Sequence, residues 1–407
     1  MWPALKRLSL GVTLILAAAG LLLLSDSPQP NALGAKPAGT PTRLPRIAMF
    51  QMSSQPIIDE GARGVMEGLK ELGLEPGTGF ELSRFNAEGD IATANTIARE
   101  MVAGGYDLII TLTTGALQTT AQANRKTKVP HIFGLVADPV AAGVEIGPEP
   151  LDHPSHLVGI GTFPPVEETF KLARRLNPRL KRIGLAWNPG EINSEVCTKL
   201  ARQICSKFEL DLVEANVDGA AAVKEAVASL LDQRVDALFV GSDVAMLGSI
   251  EVVVQAARQA KIPVFTSIPG NARKGSLFDV GANYLEVGRS VGRVAGRVIK
   301  GESIAKIPVE MSLTNTEFVN MVTAKTLEPT WQVPVDVLQN AEAYVDETGE
   351  HRRSPDQPPA PTTSRAEPVP PDRSTDRPRS IDGSRRLTAN KHPARVVVAS
   401  PTRELRP

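Results

Sequence analysis

The chain has 407 residues, more than one compact core usually holds, so two lobes or domains are expected. Its 45 Lys and Arg balance 45 Asp and Glu, without the basic excess of a nucleic-acid-binding protein. Hydrophobic residues make up 42% but aromatic ones only 4%, so cores of Val, Ile, Leu and Ala are expected, the composition of buried parallel strands under helices.

In chain order, Lys6 and Arg7 precede an apolar run from Leu8 to Leu24. A basic segment before an apolar one marks export; this run is long for a signal core and close to the minimum for a bilayer span. Residues 1–25 therefore read as a signal peptide or an N-terminal membrane anchor. No cysteine lies nearby, which excludes lipid attachment through a cysteine. Residues 26–45, rich in Pro, Gly, Ala and Thr, read as a flexible linker. Residues 350–407 are rich in Pro, Arg, Ser, Thr and Asp and poor in large apolar residues. Such a tail buries too little surface to offset its ordering entropy and reads as disordered.

Between these flanks, strand-like and helix-like runs alternate. Strands are expected at Arg46–Phe50, Phe80–Phe85, Asp107–Thr111, His131–Val136 and Leu157–Thr162, with helices at Asp59–Leu72, Asp90–Val102 (Asp90 as cap) and Gly115–Asn124. A second set follows with strands at Arg182–Trp187, Leu210–Ala215, Ala237–Val240, Val264–Thr266 and Leu277–Gly281. Its helices are Pro165–Arg175, Ser194–Phe208, Ala220–Leu231, Val244–Ala260 and Leu285–Ile299. Pro308–Met311 and Phe318–Val322 are strand-like. Repeated βα units predict an α/β fold of two doubly wound parallel-sheet lobes, with a ligand cleft between them beyond the carboxyl ends of the strands.

Cys197 and Cys205 fall eight positions apart on one predicted helix, a rise of about 12 Å. That spacing is too wide for a disulfide, and both are read as small helix residues without redox role.

Strand-end loops carry the candidate site. After Asp107–Thr111, Thr113 and Thr114 open a helix, where hydroxyls and free N–H groups suit a carboxylate or simply cap the helix. Trp187, Asn188, Glu191, Asn193 and Ser194 follow the next lobe's first strand through a Pro-Gly turn. Asp243 opens a helix and reads either as a cap or as a partner for a ligand ammonium. Asp138 reads as turn or site. No P-loop, spaced His/Glu metal motif or Gly-x-Ser-x-Gly elbow is present, so binding without chemistry, cofactor or metal is expected.

The succession RIAMFQMSSQPIIDEGARGVMEGLKELG, FNAEGDIATANTIARE, YDLIITLTTGALQTTAQ, VPHIFGLVADPVAAGV, RIGLAWNPGEINSEV, VDALFVGSDVAML, AKIPVF and GANYLEVGRSVGRVAGRVIKGE, over about Arg46 to Val345, resembles the bacterial ABC-transporter substrate-binding proteins often labelled tryptophan/tyrosine transporters. The resemblance implies a type I periplasmic-binding-protein fold with two lobes joined by a three-stranded hinge, closing on a small, amino-acid-like ligand. It implies one lobe from residues 46–162 plus about 282–311, and another from 163–281 plus about 312–346. It places Thr113, Thr114, the loop Asn188–Ser194, Asp243 and Asn283 toward the ligand. Gly115 stands where the family commonly has Pro, Trp187-Asn188-Pro189-Gly190 replaces its Tyr-Asn-Ser-Ser loop, and Gln55 replaces an acidic residue. The expected role is an extracytoplasmic, monomeric receptor delivering a small molecule to an ABC permease. A membrane-anchored sensor for a signalling partner and an enzyme using the same cleft are the alternatives.

Overall fold

The computed structural model describes residues 43–353, except 313, 314 and 328. The apolar run Leu8–Leu24, the linker before Arg43 and the tail from Ser354 lie outside the described residues.

Apolar runs assemble the first sheet from β1 (Arg46–Gln51), β2 (Glu81–Asn86), β3 (Leu108–Leu112), β4 (His131–Val136), β5 (Leu157–Gly161) and the later β11 (Glu310–Met311). Their order is β11-β5-β4-β3-β1-β2, and all neighbours are parallel. Every residue of β3, β4 and β5 is buried, the signature of a sheet covered on both faces. The covering helices are α1 (Pro56–Glu71), α2 (Ile91–Ala103) and α3 (Thr114–Asn124). Asp90 caps α2 as expected, its carboxylate accepting from the Thr93 N–H at 2.6 Å.

The second sheet has the order β14-β13-β12-β10-β9-β8-β6-β7. It comprises β6 (Arg182–Trp187), β7 (Asp211–Asn216), β8 (Ala237–Val240), β9 (Val264–Thr266), β10 (Phe278–Ala282), β12 (Asn315–Asn320), β13 (Ala343–Asp346) and β14 (Gly349–Arg352). β6 to β10 are parallel, while β12 runs antiparallel to β10 and β14 antiparallel to β13. Helix α4 (Val166–Leu176) precedes β6, helices α5 (Ile192–Lys207), α6 (Val223–Asp232), α7 (Val244–Gly248) and α8 (Ile250–Gln259) follow strands of this sheet, and α9 (Tyr284–Ile299) returns to the first lobe. The chain passes between the sheets after β5, between β10 and α9, and between β11 and β12.

Several elements differ from expectation. The segment Val244–Ala260 is two helices, since Ser249 (φ −107, ψ 17) leaves helical geometry between α7 and α8. A 3-10 turn at Ala220–Ala222 precedes α6. The last predicted strand ends at Asn320, which caps the short helix α10 (Met321–Ala324) through the Thr323 N–H. Helix α11 (Val335–Asn340) and the β13–β14 hairpin were not expected, and all of β14 after Gly349 lies in residues assigned to the tail. The second lobe's core is also not purely aliphatic. Phe170 and Phe239 meet edge to face with centroids 4.9 Å apart, and Phe265 stacks on Phe278 at 5.3 Å. Both cysteines are buried and free.

In the first lobe, α1 and α9 cross through glycines. A methyl group on Gly64 would overlap the Leu285 carbonyl oxygen, and one on Gly292 would overlap that of Val65. Only hydrogen at these positions allows the backbones to come so close. Val291 of α9 then packs over Gly134 of β4.

His131, at the start of β4, is wholly buried, and its Nε2 lies 2.8 Å from the Thr111 hydroxyl. Burial pushes its pKa down to about 3, with the neighbouring His156 adding to the effect. The folded pKa is thus depressed below the unfolded value of roughly 6.5. The unfolded chain therefore takes up a proton that the native one refuses, and stability should fall as pH drops from about 6.5 towards about 3. Urea midpoints measured at pH 7, 6 and 5 should decline more steeply for the natural chain than for His131→Leu. Equal slopes would mean that the native imidazole carries charge.

Candidate ligand cleft

A cavity of about 560 Å³ lies between the lobes. The carboxyl ends of all ten strands from β1 to β10 contribute to it, from Met52 after β1 to Ala282 at the end of β10. This is where an open α/β sheet exposes the N-termini of its helices and leaves the irregular backbone free to meet a ligand.

On the first lobe, Thr113 and Thr114 line the cavity at the start of α3. Thr113 has φ 97 and ψ 157, a left-handed conformation costly for a β-branched residue. Its side chain makes no capping bond, and its Oγ1 is buried without a partner. Capping therefore does not account for this hydroxyl, and the first N–H groups of α3 have no intrahelical acceptors. Thr114 is more committed, its Oγ1 accepting from the Ala137 N–H at 3.4 Å. Leu135, on the bulge where β4 shifts register against β5, also has positive φ (58) and lines the cleft. Ile57, Ile58 and Ile91 add apolar wall; Ile91 is 57% exposed, a cost that a covering ligand would remove.

On the second lobe, Asn188, Glu191 and Asn193 line the cavity. The Pro189-Gly190 turn brings the Asn188 carbonyl side chain to the Gly190 N–H at 2.9 Å. Glu191 accepts from Asn188 Nδ2 at 3.2 Å, and from Asn193 Nδ2 and the Val244 N–H at 3.1 Å each. Burial, and then the nearby Asp243 carboxylate, raise its pKa. Asn193 also donates to the Ser242 carbonyl at 2.5 Å, linking the loop after β6 to that after β8.

Five of the predicted site residues do not line the cavity, and each has a structural partner instead. Asp243 is buried; its Oδ1 caps α7 through the Met246 N–H at 2.9 Å. Its Oδ2 accepts from the Asn188 N–H at 2.6 Å and the Ser194 hydroxyl at 2.9 Å. It thus holds the cavity-lining loop from behind, and the carboxylate of that loop that faces the cleft is Glu191. Ser194 is consumed in the same contact. Trp187 donates its Nε1–H to Glu214 at 2.9 Å, with the Arg202 guanidinium 5.2 Å from its ring centroid. Asp138 closes an Asx turn onto the Val140 and Ala141 N–H groups at 2.9 and 3.1 Å. Asn283 caps α9 through the Glu286 N–H at 3.1 Å.

The sequence reading missed the cavity floor. Thr162 and Phe163 follow β5, and Tyr284 opens α9, so these residues sit on two of the crossings between lobes. Burial raises the pKa of the Tyr284 hydroxyl. Asp218 after β7 and Ser267 after β9 were missed too, although the strand-end rule alone points to both.

Two parallel-dominated sheets, joined by repeated crossings and facing one another across a cleft built from strand ends, define a type I periplasmic-binding-protein fold. The model of the family described as ABC transporter substrate binding protein matches residues 46–344, and the chain belongs to that family. It is 28% identical over 325 residues to the tyrosine-binding protein of Clostridioides difficile, covering 79% of this chain and 92% of that protein. A conserved domain protein of Vibrio cholerae aligns with TM-score 0.70 and 26% identity, over 74% of this chain and all of that one. An ABC domain from Streptococcus pneumoniae, solved in complex with L-Trp, aligns with TM-score 0.70 and 24% identity over the same shares. Among the described residues, no helix is long and apolar enough to cross a membrane.

Proposed function

We propose that the protein is the extracytoplasmic receptor of an ABC importer. It captures an amino acid with a large apolar or aromatic side chain between its lobes and presents it, as a monomer, to a membrane permease. Residues 1–25 deliver it to that side of the membrane as a signal or anchor. The single observation that carries the ligand reading is the pairing of unlike ends within one cavity. Thr113 and the start of α3 offer an unspent hydroxyl and free N–H groups, which suit a carboxylate. From the other lobe, Glu191 faces the same space and suits an ammonium. Isoleucines and Leu135 line the wall where a side chain would rest. The tyrosine-binding relative supports the same class of ligand. A ligand touching both lobes binds the closed arrangement more tightly than the open one, and so drives closure.

Thermal-shift measurements on the whole protein with L-tyrosine, L-tryptophan, L-phenylalanine and a panel of sugars test the proposal. A true ligand at 100 times its dissociation constant should stabilise by about 2.7 kcal/mol. Sugars shifting the melt while the amino acids do not would overturn the ligand class. Recovery of the ligand unchanged after incubation is expected of a receptor, and its conversion would make the protein an enzyme.

A further inference from the structure

The cavity-lining residues include Asp90, Glu191 and Asp218 but no Lys, Arg or His. Behind Glu191 stands a second carboxylate, that of Asp243. The groups that hold this pair are all neutral: amides of Asn188 and Asn193, the Ser194 hydroxyl, and the N–H groups of Asn188, Val244 and Met246. Two adjoining acids on one wall of the cleft are therefore solvated by dipoles and compensated by no positive charge among these partners. Asp218 makes no hydrogen bond or ion pair among the described residues, and its exposed carboxylate adds to the same field. The opposite wall has no matching excess of positive charge. There a ligand carboxylate would meet only neutral groups: Thr113, whose hydroxyl is already without a partner, Thr114 and the open end of α3.

From this asymmetry we infer that the cleft reads the amino group of its ligand and dispenses with the carboxyl group, so that it accepts small apolar amines and refuses the corresponding acids. The inference rests on the ligand reading given above and names a narrower class within it. Removing the ammonium leaves the half-buried Glu191 carboxylate, with Asp243 behind it, facing an apolar ligand body, which is the expensive change. Removing the carboxylate leaves only neutral donors unpaired, as the Thr113 hydroxyl already is, which is the cheaper one.

Three molecules with one ring separate the two ends: L-tyrosine, tyramine and 3-(4-hydroxyphenyl)propionate, titrated calorimetrically into the whole protein. The same triad built on tryptophan covers a larger ring. Tyramine should bind within about tenfold of tyrosine, while the propionate should lose at least about 100-fold, the scale of one or two charge-assisted hydrogen bonds. Refusal of tyramine, or a propionate that binds as tightly as tyramine, overturns the inference while tyrosine binding leaves the parent reading intact. Failure of every member of both triads overturns both.

Discussion

Gly64→Ala is expected to lower the stability of the first lobe by about 2–3 kcal/mol, as overpacking of a closed interface does. In an exposed helix the same change would stabilise by up to roughly 1 kcal/mol, so the sign itself is diagnostic. The cause is the α1–α9 crossing. A methyl group on Gly64 meets the backbone of Leu285, Gly288 and Arg289, and backbone cannot rotate away as a side chain can. The helices must part, and Val291 then loses its seat over Gly134. Gly248→Ala is the control, because a methyl group there has nothing within 4 Å. Gly64→Ala combined with Gly288→Ala should cost less than the sum of the two, since helices already parted accommodate the second methyl group. Denaturant midpoints for the three single variants and the double variant decide the matter. A neutral Gly64→Ala would mean that the helices do not lie this close.

Glu191→Gln should weaken ligand binding by roughly 10- to 100-fold, the worth of a hydrogen bond to a charged group, while leaving the unliganded fold as stable or slightly more so. The two effects have one origin. Burial and the neighbouring Asp243 make the ionised Glu191 costly in the empty protein, which is why its pKa is raised. A neutral amide relieves that cost but offers a ligand ammonium no charge. Asp243→Ala should show the reverse balance, with stability lost first, because it strips the cap from α7 and releases the Asn188 loop. Calorimetric titration together with thermal melts of both variants separates the roles. Unchanged affinity in Glu191→Gln would remove that residue from the site. The raised pKa of Glu191 also sets a direction with pH. Affinity for an amine should decline on acidification before it would for an ordinary carboxylate, as Glu191 takes up a proton.

The alternation of apolar runs made the two sheets legible, because strands buried on both faces leave an unbroken hydrophobic mark. β14 left none. Its Gly349–Arg352 is polar, and it is held by Arg273, distant in sequence, on Glu350 at 2.7 Å and by its hairpin partner Tyr344 stacked on His351 at 4.7 Å. At the cavity, Thr113 and Glu191 were legible as lining residues because strand ends followed by helices point there. Asp243 was assigned to the ligand because a carboxylate opening a helix reads alike in both roles. Which role holds depends on whether its oxygens meet other parts of the chain, and Asn188 and Ser194 lie about 50 positions away. Tyr284 fell between Asn283 and the helix expected from Leu285, since nothing local shows that a helix begins at a crossing between lobes.

The floor of the cleft carries Thr162 and Tyr284, one on each of two of those crossings. A molecule resting there sits at the fulcrum of a pair of jaws, where a small difference in its thickness becomes a large difference in gape at the tips. In the proposed role as a receptor, the size of the guest would set the final angle between the lobes, and a permease gripping both tips would distinguish a correct guest from a bulky one without touching either.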